Sequence, residues 1–245
     1  EKLASTAAKE FYREDLAAVR QLCPTLTSFE RDFPSVCFAL ATGIGKTRLM
    51  GACIAYLHYE KGISNFFVMA PNLTIYNKLK DDLSNTSSPK YVFRGLDRFV
   101  TPPRIIDGDN YENFRMTRDQ LSWTESNEVI INVFNISKLN SDSKVKDGKP
   151  ARIKRLNEVL GESYFEYLQS LPDLCIFMDE SHHYHADKSF SVINELRPIL
   201  GVELTATPQI QKGAKKIDFK NVVYESPPAH ALNEERYVKV PAVIT

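Results

Sequence analysis

The sequence has few cysteines, and their spacing excludes several classes of protein. Only four of its 245 residues are cysteine, and no two of them form a C-x-x-C pair. Cys37 and Cys175 lie inside apolar, strand-like runs, where a thiol is usually a small core residue. This pattern argues against a disulfide framework and against a cysteine metal site. We therefore expect a reduced, cytoplasmic protein.

Long apolar runs and an excess of one charge are also missing. No apolar run approaches the roughly 20 residues that span a bilayer, and the first residues contain no secretory h-region. We expect no membrane partner. Lysine and arginine together number 31, as do aspartate and glutamate, so the zero net charge says nothing about other partners.

A junction between a strand and a helix is the most informative stretch that is present. Residues 36–41 form a short apolar run typical of a buried strand, and residues 48–57 carry apolar side chains at helical spacing. The loop between them places backbone N–H groups at the positive end of a helix dipole, which favours a bound anion. The sequence predicts that the cofactor is held by Thr42, Gly43, Ile44, Gly45, Lys46, Thr47 and Arg48.

The central residues of this loop predict ATP and Mg²⁺ as cofactors. Gly43 and Gly45 let the backbone come close to a ligand. Lys46 can reach β- and γ-phosphates, and the hydroxyl of Thr47 can ligate magnesium. One departure from the general phosphate-loop pattern is that its first glycine falls on Leu40.

Two carboxylates follow a second apolar strand, residues 174–178. Ligands bind at the carboxyl ends of strands in open parallel sheets, so Asp179 and Glu180 are placed for a nucleotide site. Asp179 can hold magnesium, and Glu180 can orient and deprotonate an attacking water. A zinc site is the weaker alternative, because the phosphate loop already explains the carboxylates; it would combine Asp179 with His182, His183 and His185.

The rest of the chain predicts the other parts of the sheet. An amphipathic helix over residues 7–22 comes first. Apolar strands at residues 65–71 and 128–134, with a helix from about 72 to 83, extend a βαβ unit, so the sheet should be parallel and buried on both faces. Further expected elements are strands near 91–94 and 104–106 and a helix over roughly 151–170.

A basic segment covers residues 138–155, with seven basic side chains and two acids. Several lysines that neutralise phosphates give affinity for nucleic acid of any sequence. A solvated surface loop is the alternative.

Three motifs, in this order, resemble those of superfamily 2 helicases and translocases. Residues 41–47, Ala-Thr-Gly-Ile-Gly-Lys-Thr, resemble motif I. Residues 179–182, Asp-Glu-Ser-His, match the DEAH box with serine in place of alanine, and residues 204–208, Leu-Thr-Ala-Thr-Pro, resemble motif III. Residues 179–184 and 194–200 bring the sequence nearest to the motor subunit of type III restriction enzymes and related defence helicases.

The resemblance implies an α/β, RecA-like fold and ATP hydrolysis coupled to movement on duplex nucleic acid, with DNA favoured over RNA. It implies catalytic roles for Lys46, Glu180 and His182, metal binding by Thr47 and Asp179, and coupling by Thr205 and Thr207. It also implies nucleic-acid contacts by Pro71, Asn72, Asn135 and Lys138. The family's adenine-reading glutamine falls on Asp15 here, so adenine selectivity is open.

The resemblance also implies an organisation into domains. Residues 1–33 would be a helical lead-in, residues 34–225 a first RecA-like motor domain, and residues 226–245 the start of a linker to a second one. Such motors take arginines from the second domain, so we expect this chain alone to bind ATP weakly and hydrolyse it slowly. A modification or nuclease subunit is a further candidate partner. Rival functions are a docking or nucleic-acid-binding module with a vestigial ATPase, and a small-molecule kinase.

Overall fold

Seven parallel strands form the centre of the structure, a computed structural model that describes residues 13–111, 128–135, 156–157, 162–212 and 215–226. In chain order the strands are β1 (Ser35–Leu40), β2 (Asn65–Ala70), β3 (Arg104–Asp107), β4 (Ile130–Asn135), β5 (Leu156–Asn157), β6 (Glu162–Ser163), β7 (Cys175–Asp179), β8 (Leu200–Thr205), β9 (Gln209–Lys212), β10 (Lys215–Asp218) and β11 (Val222–Ser226). The main sheet has the order β11-β1-β8-β7-β2-β4-β3, and β5–β6 and β9–β10 form two small antiparallel pairs.

Five α-helices accompany these strands in the described part of the chain: α1 (Arg13–Leu22), α2 (Lys46–Lys61), α3 (Leu73–Ser84), α4 (Tyr164–Ser170) and α5 (Asp187–Glu195). Local sequence sets their ends. The side chain of Asn72 accepts the Ile75 N–H at the start of α3, and Ser163 and Glu166 form a capping box on α4. Gly62 ends α2 in the left-handed conformation that favours glycine.

The sheet is buried on both faces. Along β2, Phe66 and Val68 pack with α2 and α3, whereas Phe67 and Met69 pack with α4 and α5. Continuous apolar runs in the central strands follow from this arrangement, because neither face of the sheet meets water there. The predicted α/β class, a parallel sheet with helices on both faces, is confirmed.

Cys37 and Cys175 are core thiols, as predicted, and both are fully buried. Burial, with a contribution from the Asp173 carboxylate, raises the pKa of Cys175 to about 12, so its thiol stays protonated. Among the described helices, none is long and apolar enough to cross a membrane.

Two sequence-based predictions of secondary structure are wrong. Residues 91–94 form a turn instead of a strand; their alternating aromatic rings look strand-like, but Phe93 is buried by stacking on Phe99, with ring centroids 4.2 Å apart. Of the helix expected over residues 151–170, the described residues are helical only in α4, since residues 156–157 and 162–163 pair with each other as β5 and β6. The basic segment 138–155 lies outside the described residues, as do residues 7–12 of the first predicted helix.

Gly51 anchors α2 against the turn that follows α3. A Cβ atom added there would lie 2.7 Å from Val92 Cβ, so the turn would have to shift. Overpacking costs about 1–3 kcal/mol, whereas alanine gains up to about 1 kcal/mol in helix propensity. We expect Gly51→Ala to lower the free energy of unfolding by about 1–2 kcal/mol in urea titrations. Val92→Ala removes the Cγ2 atom that would lie 2.8 Å from the added Cβ, so the two changes combined should cost less than the sum of the single changes. Strict additivity would contradict the clash.

Candidate functional site

The predicted motifs emerge from one edge of the sheet. Five neighbouring strands run in the same direction, so their carboxyl ends lie side by side: β1 pairs with β8, β8 with β7, β7 with β2 and β2 with β4. Ala39 lies opposite Thr205, and Ala70 lies opposite Asn135. The topology therefore brings together stretches that are far apart in sequence, at the edge where open parallel sheets bind ligands.

The phosphate loop leaves an open anion site at the start of α2. Gly43 and Gly45 have φ angles of 89° and 104°, which favour glycine. Gly45 is the N-cap and contributes no side-chain cap, and the first turn of α2 contains no acidic residue. The first backbone N–H groups of a helix have no partners within it, so this end suits a phosphate.

Lys46, the first residue of α2, faces Glu180 across the site. Its ammonium nitrogen lies 3.1 Å from Glu180 Oε1 and 3.5 Å from the carbonyl oxygen of Leu40. A phosphate group that approached Lys46 would compete with Glu180 for the same charge. Arg48, in contrast, is exposed and donates to the carbonyl oxygen of Pro89 at 3.4 Å.

Asp179 and Thr47 supply oxygen ligands of the kind that Mg²⁺ takes in proteins. Asp179 is buried at the end of β7; burial and the neighbouring Glu180 raise the pKa of its carboxyl, whereas the ammonium groups of Lys46 and Lys78 oppose that change. The hydroxyl of Thr47 accepts a hydrogen bond from Lys78 Nζ at 3.2 Å. A cation therefore already lies at the hydroxyl, and the donor set fits magnesium.

No zinc cluster forms from the histidines. Within the ranges that the structure describes, no group of three or more His, Cys, Asp or Glu side chains is arranged to hold a metal ion.

Glu180 has a strained backbone. Its φ and ψ angles are 51° and 54°, the left-handed region that a residue with a Cβ atom seldom adopts. The conformation costs about 1–2 kcal/mol. It turns the chain sharply from β7 into the short helix Ser181–Tyr184, with the carboxylate directed at Lys46. Strain of this kind is typical of functional sites.

His182 connects the carboxylates to the Thr-Ala-Thr turn. Its Nδ1 lies 2.9 Å from Thr205 Oγ1 and 3.6 Å from Glu180 Oε2. The Thr205 hydroxyl donates to the Thr207 carbonyl oxygen and accepts the Thr207 N–H. Which of the two groups donates in the contact between His182 and Thr205 depends on the tautomer of the imidazole. Burial, together with the neighbouring His183, lowers the pKa of His182, which favours the neutral imidazole.

Comparison with known proteins agrees with this arrangement. The family model described as "Type III restriction enzyme, res subunit" matches residues 9–210, which include the phosphate loop, the carboxylates and the Thr-Ala-Thr turn. The chain belongs to this Res-subunit family.

One relative in the family comes from Haemophilus influenzae and is named "Probable type III restriction-modification enzyme HindVIP Res subunit". It is 25% identical over 167 residues, which cover 65% of this chain and 28% of the relative. The chain thus spans 28% of that relative's length. A solved structure of FlhF complexed with GTP/Mg(2+) aligns with 81% of this chain and 77% of the FlhF chain, at 13% sequence identity. Its TM-score of 0.25 is too low to carry an argument.

The nucleic-acid residues expected from the Res resemblance are only partly accessible. Pro71 and Asn72 follow β2, and Asn72 is exposed but uses its side chain to cap α3. Asn135, the last residue of β4, is 5% exposed, and Lys138 lies outside the described residues. Pro71, Asn72 and Asn135 lie at the ends of two adjacent strands, β2 and β4.

A buried ionic cluster in this Res-family chain was not predicted from its sequence. Arg31 Nε lies 3.2 Å from Glu203 Oε1, and both side chains are fully buried. His185 Nε2 lies 3.4 Å from the other Glu203 oxygen, and Asn221 donates to Oε1 at 3.2 Å. Burial alone would raise the pKa of Glu203, but the Arg31 guanidinium and His185 outweigh it and lower the pKa to about 2.

This ionic cluster joins two parts of the site, the strand that carries Thr205 and the segment that carries His182. Glu203 lies two residues before Thr205 on β8, and His185 follows the short helix that carries His182. The sequence gives one sign of this ionic cluster, which is a charged residue, Glu203, inside a mostly apolar strand.

Proposed function

We propose that this chain is the ATP-hydrolysing motor domain of a translocase or helicase that acts on duplex nucleic acid, DNA in preference to RNA, within a type III restriction-like or antiviral defence enzyme. The observation that carries the proposal is the placement of Lys46, Glu180, His182 and Thr205 beside one another, with an ion pair of 3.1 Å between the first two and a hydrogen bond of 2.9 Å between the last two. Family membership supports the same conclusion.

The roles of the residues follow from their contacts. Lys46 leaves Glu180 for the β- and γ-phosphates of ATP, and the backbone N–H groups of residues 43–48 hold the remaining oxygens. Glu180 is then free to orient a water and take its proton. Thr47 and Asp179 would hold Mg²⁺, which would supply positive charge to the phosphate oxygens. His182 lies between Glu180 and Thr205, and it couples a change in the position of Glu180 to Thr205 and Thr207.

The nucleic-acid side of the proposal rests on the strand ends next to the nucleotide site. Pro71, Asn72 and Asn135 would contact the backbone of the nucleic acid, with Lys138 beyond them. A second RecA-like domain would contribute arginines to the transition state, and such residues raise rates by about 10³–10⁵. A modification or nuclease subunit is the other proposed partner. These roles concern the whole protein, of which the chain matches the motor part.

Nucleotide binding tests the proposal most directly. We expect titration calorimetry to detect Mg–ATP binding by the chain and at least a tenfold or so loss of affinity in Lys46→Ala, because a charged hydrogen bond to phosphate is removed. Lys61→Ala is the matched control: it removes the same charge at the far end of α2, about 22 Å away along the helix axis. Its affinity should equal that of the unaltered chain.

Two outcomes would contradict the proposal. Equal loss of affinity for Mg–ATP in Lys46→Ala and Lys61→Ala would mean that the loss reflects the net charge of the chain instead of a contact made by Lys46. Duplex DNA bound tightly by a chain with no affinity for Mg–ATP would favour the rival, a nucleic-acid-binding or docking module with a vestigial ATPase.

A further inference from the structure

Lys78 connects the phosphate loop to the helix that follows β2. It lies on α3, and its ammonium nitrogen is 3.2 Å from Thr47 Oγ1. Thr47 is a proposed metal ligand, yet the cation that contacts its hydroxyl is a side chain from another helix. Sequence spacing gives no sign of the contact, because it depends on how α3 packs beside α2.

Lys78 brings a positive charge to one of the proposed magnesium ligands, Thr47, whose hydroxyl accepts its hydrogen bond at 3.2 Å. A metal ion bound to that hydroxyl would meet the ammonium group at close range, so the two cations compete for this position.

Lys78 can also leave this position at small cost. Its side chain is 53% exposed, and a second partner lies one turn along the same helix, where Asp82 Oδ2 is 3.6 Å from the ammonium nitrogen. Asp82 itself is almost fully buried, so it stays in place as an acceptor. Because the same ammonium nitrogen contacts Thr47 and lies 3.6 Å from Asp82, its charge keeps a partner when the contact with Thr47 is lost.

We propose that Lys78 is a tethered cation that occupies the magnesium position of this site in the absence of nucleotide and withdraws to Asp82 when Mg–ATP binds. The inference rests on the proposed function. Lys78 is then a positioning residue: it holds the Thr47 hydroxyl against α3 and competes with the incoming metal ion.

Withdrawal of Lys78 would also affect α3, the helix that starts next to the proposed nucleic-acid contacts. Lys78 lies in the middle of α3, and the cap residue Asn72 lies at the start of that helix, next to the strand end proposed to contact nucleic acid. Binding of Mg–ATP would break the contact between Thr47 and α3, so the nucleotide site and that strand end are linked through one side chain.

Competition makes a measurable prediction for Lys78→Met, which keeps the apolar stem and removes the charge. Binding of a fluorescent ATP analogue is titrated with MgCl₂ at a fixed nucleotide concentration. We expect the half-saturating Mg²⁺ concentration to fall about twofold to fivefold, the range for loss of one partly exposed charge pair. Lys78→Arg, which restores a cation, should return it towards the original value. Lys61→Met is the control and should not change it.

The outcomes separate this inference from the proposed function. An unchanged or raised half-saturating Mg²⁺ concentration in Lys78→Met would overturn the role of Lys78, even if the chain binds Mg–ATP normally. A similar fall in Lys61→Met would also overturn it, because the effect would then be one of total charge. Failure of the unaltered chain to bind Mg–ATP at any Mg²⁺ concentration would overturn the proposed function, and this inference with it.

Discussion

Glu180→Gln is expected to remove ATP turnover while the chain still binds Mg–ATP. Glutamine keeps the size of the side chain but cannot take a proton from water, and loss of a general base costs about 10²–10⁴-fold in rate. Binding should remain or become tighter, because Lys46 no longer has to leave a carboxylate 3.1 Å away before it meets phosphate. The measurement is single-turnover hydrolysis of ATP together with calorimetric binding of Mg–ATP.

The comparison needs two reference variants. Lys46→Ala should lose binding and turnover together, whereas Glu60→Gln, which makes the same charge change near the far end of α2, should alter neither. Hydrolysis at the original rate by Glu180→Gln would remove Glu180 from the role of base. Loss of binding in that variant would show instead that the carboxylate holds the loop in shape.

Glu203→Gln is expected to be the most destabilising of the conservative changes. It leaves the guanidinium of Arg31 buried without a counter-charge, and breaking a buried pair from one side costs about 3–5 kcal/mol. The free energy of unfolding from urea titrations measures this loss. The double variant Arg31→Met with Glu203→Leu removes both charges and should recover most of it, because an apolar pair avoids the desolvation cost.

The difference in unfolding free energy between the unaltered chain and Glu203→Gln should depend on pH, and the direction of the dependence follows from the pKa of Glu203. The pKa of Glu203 is lowered from 4.5 to about 2 in the folded chain, so its carboxylate stabilises the fold above about pH 4.5. That stabilisation is lost as the pH falls towards about 2. The gap in unfolding free energy between the unaltered chain and Glu203→Gln should therefore be full at neutral pH and narrow below about pH 4.5. A gap that does not narrow would contradict the charge-pair explanation.

Sequence patterns predicted the sheet and the ends of its strands well, for a physical reason. Strands such as β2 and β7 are buried on both faces, which makes them continuous apolar runs, and the chemical residues follow directly where each run ends. The parallel sheet then brings Lys46, Asp179 and Thr205 to one edge without any further information.

The features that the sequence did not reveal all depend on tertiary packing. Lys78 reaches Thr47 because α3 lies beside α2, and Arg31 meets Glu203 across 172 positions of the chain. Residues 91–94 alternate like a strand, but stacking of Phe93 on Phe99 holds them in a turn. Local periodicity contains no information about such contacts.

The left-handed backbone at Glu180 has a consequence for protein engineering. Glycine and asparagine accept this conformation more readily than glutamate does, so either would relieve the local strain. A library screened only for thermal resistance would therefore favour the loss of the carboxylate that faces Lys46. At position 180, selection for stability favours glycine or asparagine, whereas selection for activity favours glutamate. A stabilised version of the domain therefore has to gain its stability at other positions.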